Sequence, residues 1–225
     1  MKKPLCGMTV DDLNESISIH GFNKVQAVKV LMSFYRKGVT RISGIKEIPK
    51  DLKEVLLKDF SEGIYSPVDS RESSDKTVKY LFRNHLGLEF ETVYIPEKKR
   101  NTVCVSTQSG CRMGCPFCLT GRFGFKGNLS AGDIINQVLN LPHAAKISHV
   151  VFMGMGEPMD NIEEVLKACQ ILTAEWGLAI SNRNITVSSV GILKGVIEFL
   201  RRSDCNLTIS LHSPFPDERP EVQFR

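Results

Sequence analysis

Apolar positions recur at helical spacing through the first sixty residues, alternate over the next thirty, and then fall into strand–helix repeats. Thr9 is placed to cap a first helix whose opening turn carries Asp11 and Asp12, where carboxylates suit the positive helix end. Asn23 caps a second helix with Val25, Val28, Leu31, Met32 and Tyr35 on one face and Gly38 as its stop. Pro49, at a first helical position, opens a third with Leu52, Val55, Leu56 and Phe60 as the apolar stripe and Gly63 as its end. Period two then takes over. Residues 77–82 and 88–95 read as paired strands joined by a turn at Asn84 to Gly87, while 70–75 is polar and turn-like. The charged stretch 96–101 reads as a loop and a domain boundary.

Beyond it the pattern predicts strands at 102–107, 147–153, 184–188 and 206–211. Helices follow at 130–141, capped by Ser130 with Asp133 three residues on, and at 162–176 and 192–201. Repeated βα units predict a parallel sheet or barrel with helices outside, and its chemistry at the C-terminal ends of the strands. The expected fold class is therefore α/β: a partial, TIM-like (β/α) barrel over 101–225. A helical accessory domain over 1–64 and a short antiparallel β segment over 65–100 precede it.

Composition changes this picture little. Of the 225 residues, 42% are apolar and 24% charged, as in ordinary soluble domains. No run approaches the roughly 18 apolar residues of a membrane span, and no apolar stretch follows Lys2 and Lys3 to make an export signal. Residues 1–100 hold 18 Lys/Arg against 14 Asp/Glu, and residues 101–225 hold 11 of each, so the net charge of +4 lies in the first part. Such an excess fits nucleic-acid binding and equally fits solvated lysine-rich helices. Seven cysteines, three of them in one loop, suit a reducing compartment and a cytoplasmic protein.

Candidate chemistry centres on Cys111-Arg-Met-Gly-Cys115-Pro-Phe-Cys118, three cysteines spaced C-x3-C-x2-C. Three thiolates on a tight loop hold three corners of a [4Fe–4S] cubane and leave the fourth iron open. A structural zinc site wants four protein ligands, and no second cysteine pair or nearby histidine supplies them, so the spacing favours the cluster. Directly after the next strand comes Met153-Gly-Met-Gly-Glu-Pro158. Its glycines admit a ligand close to the backbone, and Glu157 can accept from an ammonium group. A plain strand-to-helix turn explains those residues alone equally well; beside the cysteine loop the ligand reading prevails. Ser188 after the third strand, and Ser210-Leu211-His212 after the fourth, can hold a ribose or carboxylate, although a lone histidine there also suits an ordinary turn.

Together these segments resemble the radical S-adenosylmethionine (SAM) superfamily. Glu91-Thr-Val-Tyr-Ile-Pro96 and Thr102-Val-Cys-Val-Ser-Thr-Gln-Ser-Gly-Cys111 resemble one branch of it, the RlmN adenine-C2 methyltransferases and their Cfr relatives, from the amino terminus to about Arg219. The resemblance implies that Cys111, Cys115 and Cys118 ligate a [4Fe–4S] cluster whose open iron chelates SAM. It places Gly156 and Glu157 at the methionine amino end, and Ser188 with Ser210, Leu211 and His212 at the rest of SAM. It also places Phe117, the aromatic before the last ligand, against the adenine. It implies that an electron, delivered by a donor such as flavodoxin or ferredoxin, cleaves SAM to a 5′-deoxyadenosyl radical. A methyl group then passes through a carboxy-terminal methyl-cysteine to adenine C2 of large-subunit rRNA and tRNA. Glu91 matches the general base and Cys104 the cysteine that releases product by forming a disulfide. Without the resemblance, Cys104 reads as a small buried strand residue. Cys6, Cys169 and Cys205 read as structural. The expected protein is a monomer with no membrane association.

One departure stands out. The family continues for about another third of its length, whereas no cysteine follows Cys205 here and Pro220-Glu-Val-Gln-Phe-Arg225 does not resemble the continuation. The expectation is a truncated product that binds cluster and SAM without completing methyl transfer. Two other readings share these motifs: a Cfr-like adenine-C8 methyltransferase, and a non-catalytic RNA module holding a cluster or zinc.

Overall fold

The computed structural model describes residues 2–218, so the atypical tail 220–225 lies outside the described residues. The three expected caps all form. Thr9, Asn23 and Ser130 each make a reciprocal capping box at the head of α1 (Val10–Ser18), α2 (Lys24–Leu31) and α5 (Ala131–Leu139), satisfying donors that a helix start leaves orphaned. The second helix continues as a wider π turn over Met32–Arg36 before Gly38 takes φ +64°. Pro49 sits one place earlier than expected, as the cap of α3 (Lys50–Asp59). This helix ends in a strand and not at Gly63, because β2 (Phe60–Ser61) pairs at once with β1 (Lys3–Pro4) near the amino terminus.

The main sheet has seven strands in the order β11-β10-β9-β6-β5-β4-β3. Its antiparallel part is β3 (Asp69–Glu72), β4 (Val78–Arg83) and β5 (Glu89–Pro96). Its parallel part is β6 (Asn101–Cys104), β9 (His149–Phe152), β10 (Ile185–Ser189) and β11 (Asn206–Ile209). The polar stretch expected as a turn at 70–75 is thus mostly strand. All four residues of β3 are exposed, and their charges suit an unpaired sheet edge. The stretch 96–101 is the turn between β5 and β6, which pair antiparallel, so the sheet runs unbroken through the expected boundary.

The sheet has two unlike faces. Phe90, Thr92, Val103, Val150, Phe152 and Val187 are fully or nearly fully buried on one of them. The apolar sides of α5, α6 (Ile162–Thr173) and α7 (Leu193–Arg202) complete the same core. Gln137 of α5 is buried there and fixes the end of β6: Oε1 accepts from Ser106 N at 2.8 Å, and Nε2 donates to Ser106 O at 2.9 Å. The alternate residues, Glu91, Val93, Cys104, Val151 and Ser188, point to the opposite face and stay only partly buried. The amino-terminal helices pack on α6. Lys167 bridges to Asp12 at 2.8 Å, and the Tyr35 ring lies 6.2 Å from that of Trp176. No helix among the described residues is long and apolar enough to cross a membrane.

Candidate functional site

Every expected site residue except Glu91 lies at or just beyond the C-terminal ends of the parallel strands, Cys104 as the last residue of β6; Glu91 lies within β5, and it shares the partly open face with Cys104. The cysteine loop leaves β6 through β7 (Gln108–Ser109), which pairs with β8 (Gly127–Asn128). That pairing folds the loop back on itself. Gly110 takes φ +76°, and a Cβ there would lie 1.7 Å from the Gly124 carbonyl oxygen, so only glycine fits. After Cys118 a short helix, α4 (Leu119–Arg122), closes the loop, and Gly121 lies against the Cys115 backbone, where a Cβ would approach Cys115 N to 3.2 Å.

The Gly-Met-Gly-Glu turn after β9 is pressed onto this strand end. A Cβ on Gly154 would meet Ser106 Oγ at 2.7 Å, and one on Gly156, at φ +98°, would meet Gln108 Cβ at 2.5 Å. Thr107 N donates to Met155 O at 2.8 Å and Met155 N to Ser106 Oγ at 2.8 Å, which knits turn and strand together. Thr107 Oγ1, buried at the same place, has no hydrogen-bond partner among the described residues.

Glu157 is 3% exposed and well used. Its Oε1 accepts from Met159 N at 2.9 Å and its Oε2 from Val190 N at 3.0 Å, while its own N–H donates to Gln108 Oε1 at 2.9 Å. The carboxylate therefore joins the end of β9 to the end of β10. Gln108 Nε2 donates to Asp160 Oδ2 at 2.8 Å, and Asp160 in turn receives Arg112 of the cysteine loop at 3.2 Å. Arg112 also lies 3.7 Å over the Phe125 ring. Gln108 and Arg112 lie inside the motif stretches 102–111 and 111–118 with no role attached to them there, and Asp160 lies outside any motif; their contacts join segments 52 and 48 residues apart, which local spacing does not signal.

The remaining expected residues close the arrangement. The rings of Phe117 and His212 meet edge to face with centroids 4.8 Å apart, and His212 adopts φ +60°. Ser188 Oγ and Ser210 Oγ are 3.2 Å apart. Leu211 is 50% exposed. Glu91 pairs with Lys79 at 2.9 Å on the open face, and its carbonyl accepts from Ser106 Oγ at 2.5 Å. Cys104 faces the same way, opposite Val93 and Val151. Burial pushes its thiol pKa up, partly offset by a hydrogen bond from the Met153 backbone. None of the seven cysteines is disulfide-bonded, and the expected Cys104 disulfide is not present. Cys205 precedes β11, at the end of the sheet opposite the cysteine loop.

The loop's donor set suits a cationic cluster. Burial raises the Cys111 thiol most, with the backbone of Met113 opposing and Glu157, Cys115 and Cys118 raising it further. Cys115 is raised by burial and then by Cys118, opposed by its own backbone N–H, and raised slightly by Glu157. Thiols whose ionised forms would repel one another beside a buried carboxylate give up their protons readily to a coordinating cation, which stabilises the thiolates directly. Among the described residues no three metal-binding side chains converge on a single ion. A cubane asks for no such convergence, since each thiolate takes a different iron.

This half-barrel with its three-cysteine loop is the architecture of an enzyme that binds cofactor at parallel strand ends. The chain belongs to the radical SAM superfamily, whose family model matches residues 105–225. It is 46% identical over 221 residues to a probable dual-specificity RNA methyltransferase RlmN of Bacteroides fragilis, covering 98% of this chain and 64% of that protein. It is 36% identical to the dual-specificity RNA methyltransferase RlmN of Geobacter sulfurreducens, with 96% and 60% covered. A crystal structure of a radical SAM methyltransferase from Sphaerobacter thermophilus superposes with a TM-score of 0.88 at 32% identity, covering 98% of this chain and 67% of that one. The chain thus spans a little under two thirds of the length of the curated relatives it matches. Superfamily membership implies a [4Fe–4S] cluster and SAM as cofactors.

Proposed function

We propose that this chain is the cofactor-binding part of an RNA methyltransferase that modifies adenine C2 in large-subunit rRNA and tRNA. The observation that carries the reading is the cysteine loop lying against the Gly154–Glu157 turn at neighbouring strand ends, joined through Gln108 and Asp160. Cys111, Cys115 and Cys118 hold the cluster as thiolates. Gly156 leaves room at the backbone for the methionine end of SAM, and Glu157 contributes negative charge there while holding the turn in shape. Ser188 and the Ser210–His212 segment take the ribose side, and Phe117, steadied by His212, offers a ring face to the adenine.

When bound, the cluster and SAM supply the one-electron chemistry that side chains cannot. The chain's own residues orient it. Glu91 and Cys104 line the open face where an RNA base would enter, Glu91 as a base and Cys104 as the thiol that releases product. Residues 206–225 hold no cysteine, and this reading assigns the present residues the binding of cofactor and RNA. The partners are rRNA and tRNA, with flavodoxin or ferredoxin as electron donor to a cytoplasmic monomer.

The test is incubation of the anaerobically reconstituted chain with reductant, SAM and ribosomal RNA, followed by mass spectrometry. The expected products are 5′-deoxyadenosine and methionine with unmodified RNA. C2-methyladenosine would overturn the division of labour, C8-methyladenosine the regiochemistry, and intact SAM the whole reading.

A further inference from the structure

Just past the cysteine loop, in Arg122-Phe-Gly-Phe-Lys126, two aromatic rings are employed differently. Phe125 is partly buried and lies beneath the Arg112 guanidinium, 3.7 Å from its centroid. Phe123 is 59% exposed, and its ring takes part in no aromatic or cation–π contact among the described residues. The backbone that carries it is pinned. Phe123 N donates to Leu119 O at 3.3 Å, Gly124 N to Gly121 O at 3.3 Å, and Lys126 N to Ser109 O at 2.8 Å. The Gly124 carbonyl is also the one that crowds Gly110. The ring is thus held outward and can receive a flat partner without reordering its turn.

Charge in this stretch has one sign. Residues 112–132 contain Arg112, Arg122 and Lys126 and no aspartate or glutamate. Arg112 is engaged by Asp160. Arg122 gives Nη2 to Pro116 O at 3.0 Å and is otherwise exposed. Lys126 is exposed and forms no ion pair among the described residues. Two cations therefore flank one open ring. An apolar patch alone would suit many partners, but this combination matches a polyanion that also offers flat faces, which is a nucleic-acid strand. The base must be unpaired, because a side-chain ring stacks only on a base that has left its own stack.

We propose that Phe123 is a stacking platform for an unpaired RNA nucleotide, with Arg122 and Lys126 on the flanking phosphates. This rests on the reading of the chain as part of an RNA methyltransferase and adds the form of RNA it takes, a single-stranded segment. Chemistry on a base requires that the base leave its duplex. A neighbouring nucleotide stacked on Phe123 holds the opened strand beside the loop of Cys111, Cys115 and Cys118.

The experiment titrates the anaerobically reconstituted full chain, without SAM, into a fluorescein-labelled single-stranded RNA of about twelve nucleotides, read by anisotropy. The same strand annealed to its complement is the comparison. The expected result is tighter binding of the single strand. Phe123→Ala should weaken it roughly 5- to 100-fold, the loss typical of one stacked base. Phe123→Trp should retain the affinity and Phe123→Leu should not, since leucine keeps apolar area and lacks a π face. Lys126→Gln should lower the slope of log affinity against log salt by about 0.7, one phosphate contact on a single strand. No binding of either RNA, unchanged binding in Phe123→Ala, or equal affinity for the duplex would overturn the proposal. Full retention in Phe123→Leu would also overturn it and mark Leu119 and Phe123 as a seat for a protein. With no SAM present, these outcomes stand apart from the SAM-cleavage test of the enzymatic reading.

Discussion

Glu157, at the end of β9, accepts the backbone N–H of Val190, just past the end of β10, at 3.0 Å through Oε2. A residue expected only to meet SAM is therefore also the buried tie between two strand ends, with Met159 N on its other oxygen. Glu157→Gln places an amide donor where one of the two N–H groups needs an acceptor, whichever way the side chain turns. Leaving a buried donor unmatched costs about 1–3 kcal/mol. The expected outcome is a lower urea midpoint together with weaker SAM binding, read by denaturation and calorimetry. Weaker SAM binding at unchanged stability would assign Glu157 to the ligand alone.

Asp160 joins the cysteine loop to the rest of the site through Arg112 and Gln108. Asp160→Ala removes both contacts from a partly exposed position and is expected to leave the fold intact by circular dichroism. Cluster release to a chelator should become several-fold faster. An unchanged release rate would show that the loop is held by its own β7–β8 pairing.

Gly156 and Gly124 both have positive φ, but only Gly156 is crowded: a Cβ there meets Gln108 at 2.5 Å, while one on Gly124 meets nothing within 4 Å. Gly124→Ala should cost only the backbone strain of a left-handed residue, about 1–3 kcal/mol. Gly156→Ala should cost more and displace the turn, abolishing SAM binding. Equal melting temperatures for the two variants would contradict this.

Cys104 sits in the sheet opposite Val93 and Val151, whereas Cys111, Cys115 and Cys118 share the loop. Cys104→Ser is expected to retain the full iron content after reconstitution. Serine at any of the three loop positions should lose most of it, by iron and sulfide analysis. Iron loss in Cys104→Ser would place that thiol in the cluster's surroundings.

Local signals were the legible ones. The caps at Thr9, Asn23 and Ser130 needed only residues three apart, and the strand ends followed from apolar runs bounded by glycine and serine. The edge strand Asp69–Glu72 has no apolar alternation, since neither of its faces is buried, so it looked like a turn. The stretch 96–101 looked like a linker by its charge, although its flanking strands pair across it. The candidate cofactor residues were visible as spaced cysteines and glycines. What positions them was not: Gln137 on Ser106, and Gln108 between Glu157 and Asp160, are contacts between distant segments with no periodicity to announce them.

The most direct test is the EPR spectrum of the anaerobically reconstituted, reduced chain, recorded with and without SAM. The account predicts a [4Fe–4S] signal whose shape changes when SAM is added, because three cysteines leave one iron open beside the Gly154–Glu157 turn. A cluster signal indifferent to SAM, or zinc in place of iron, would contradict it.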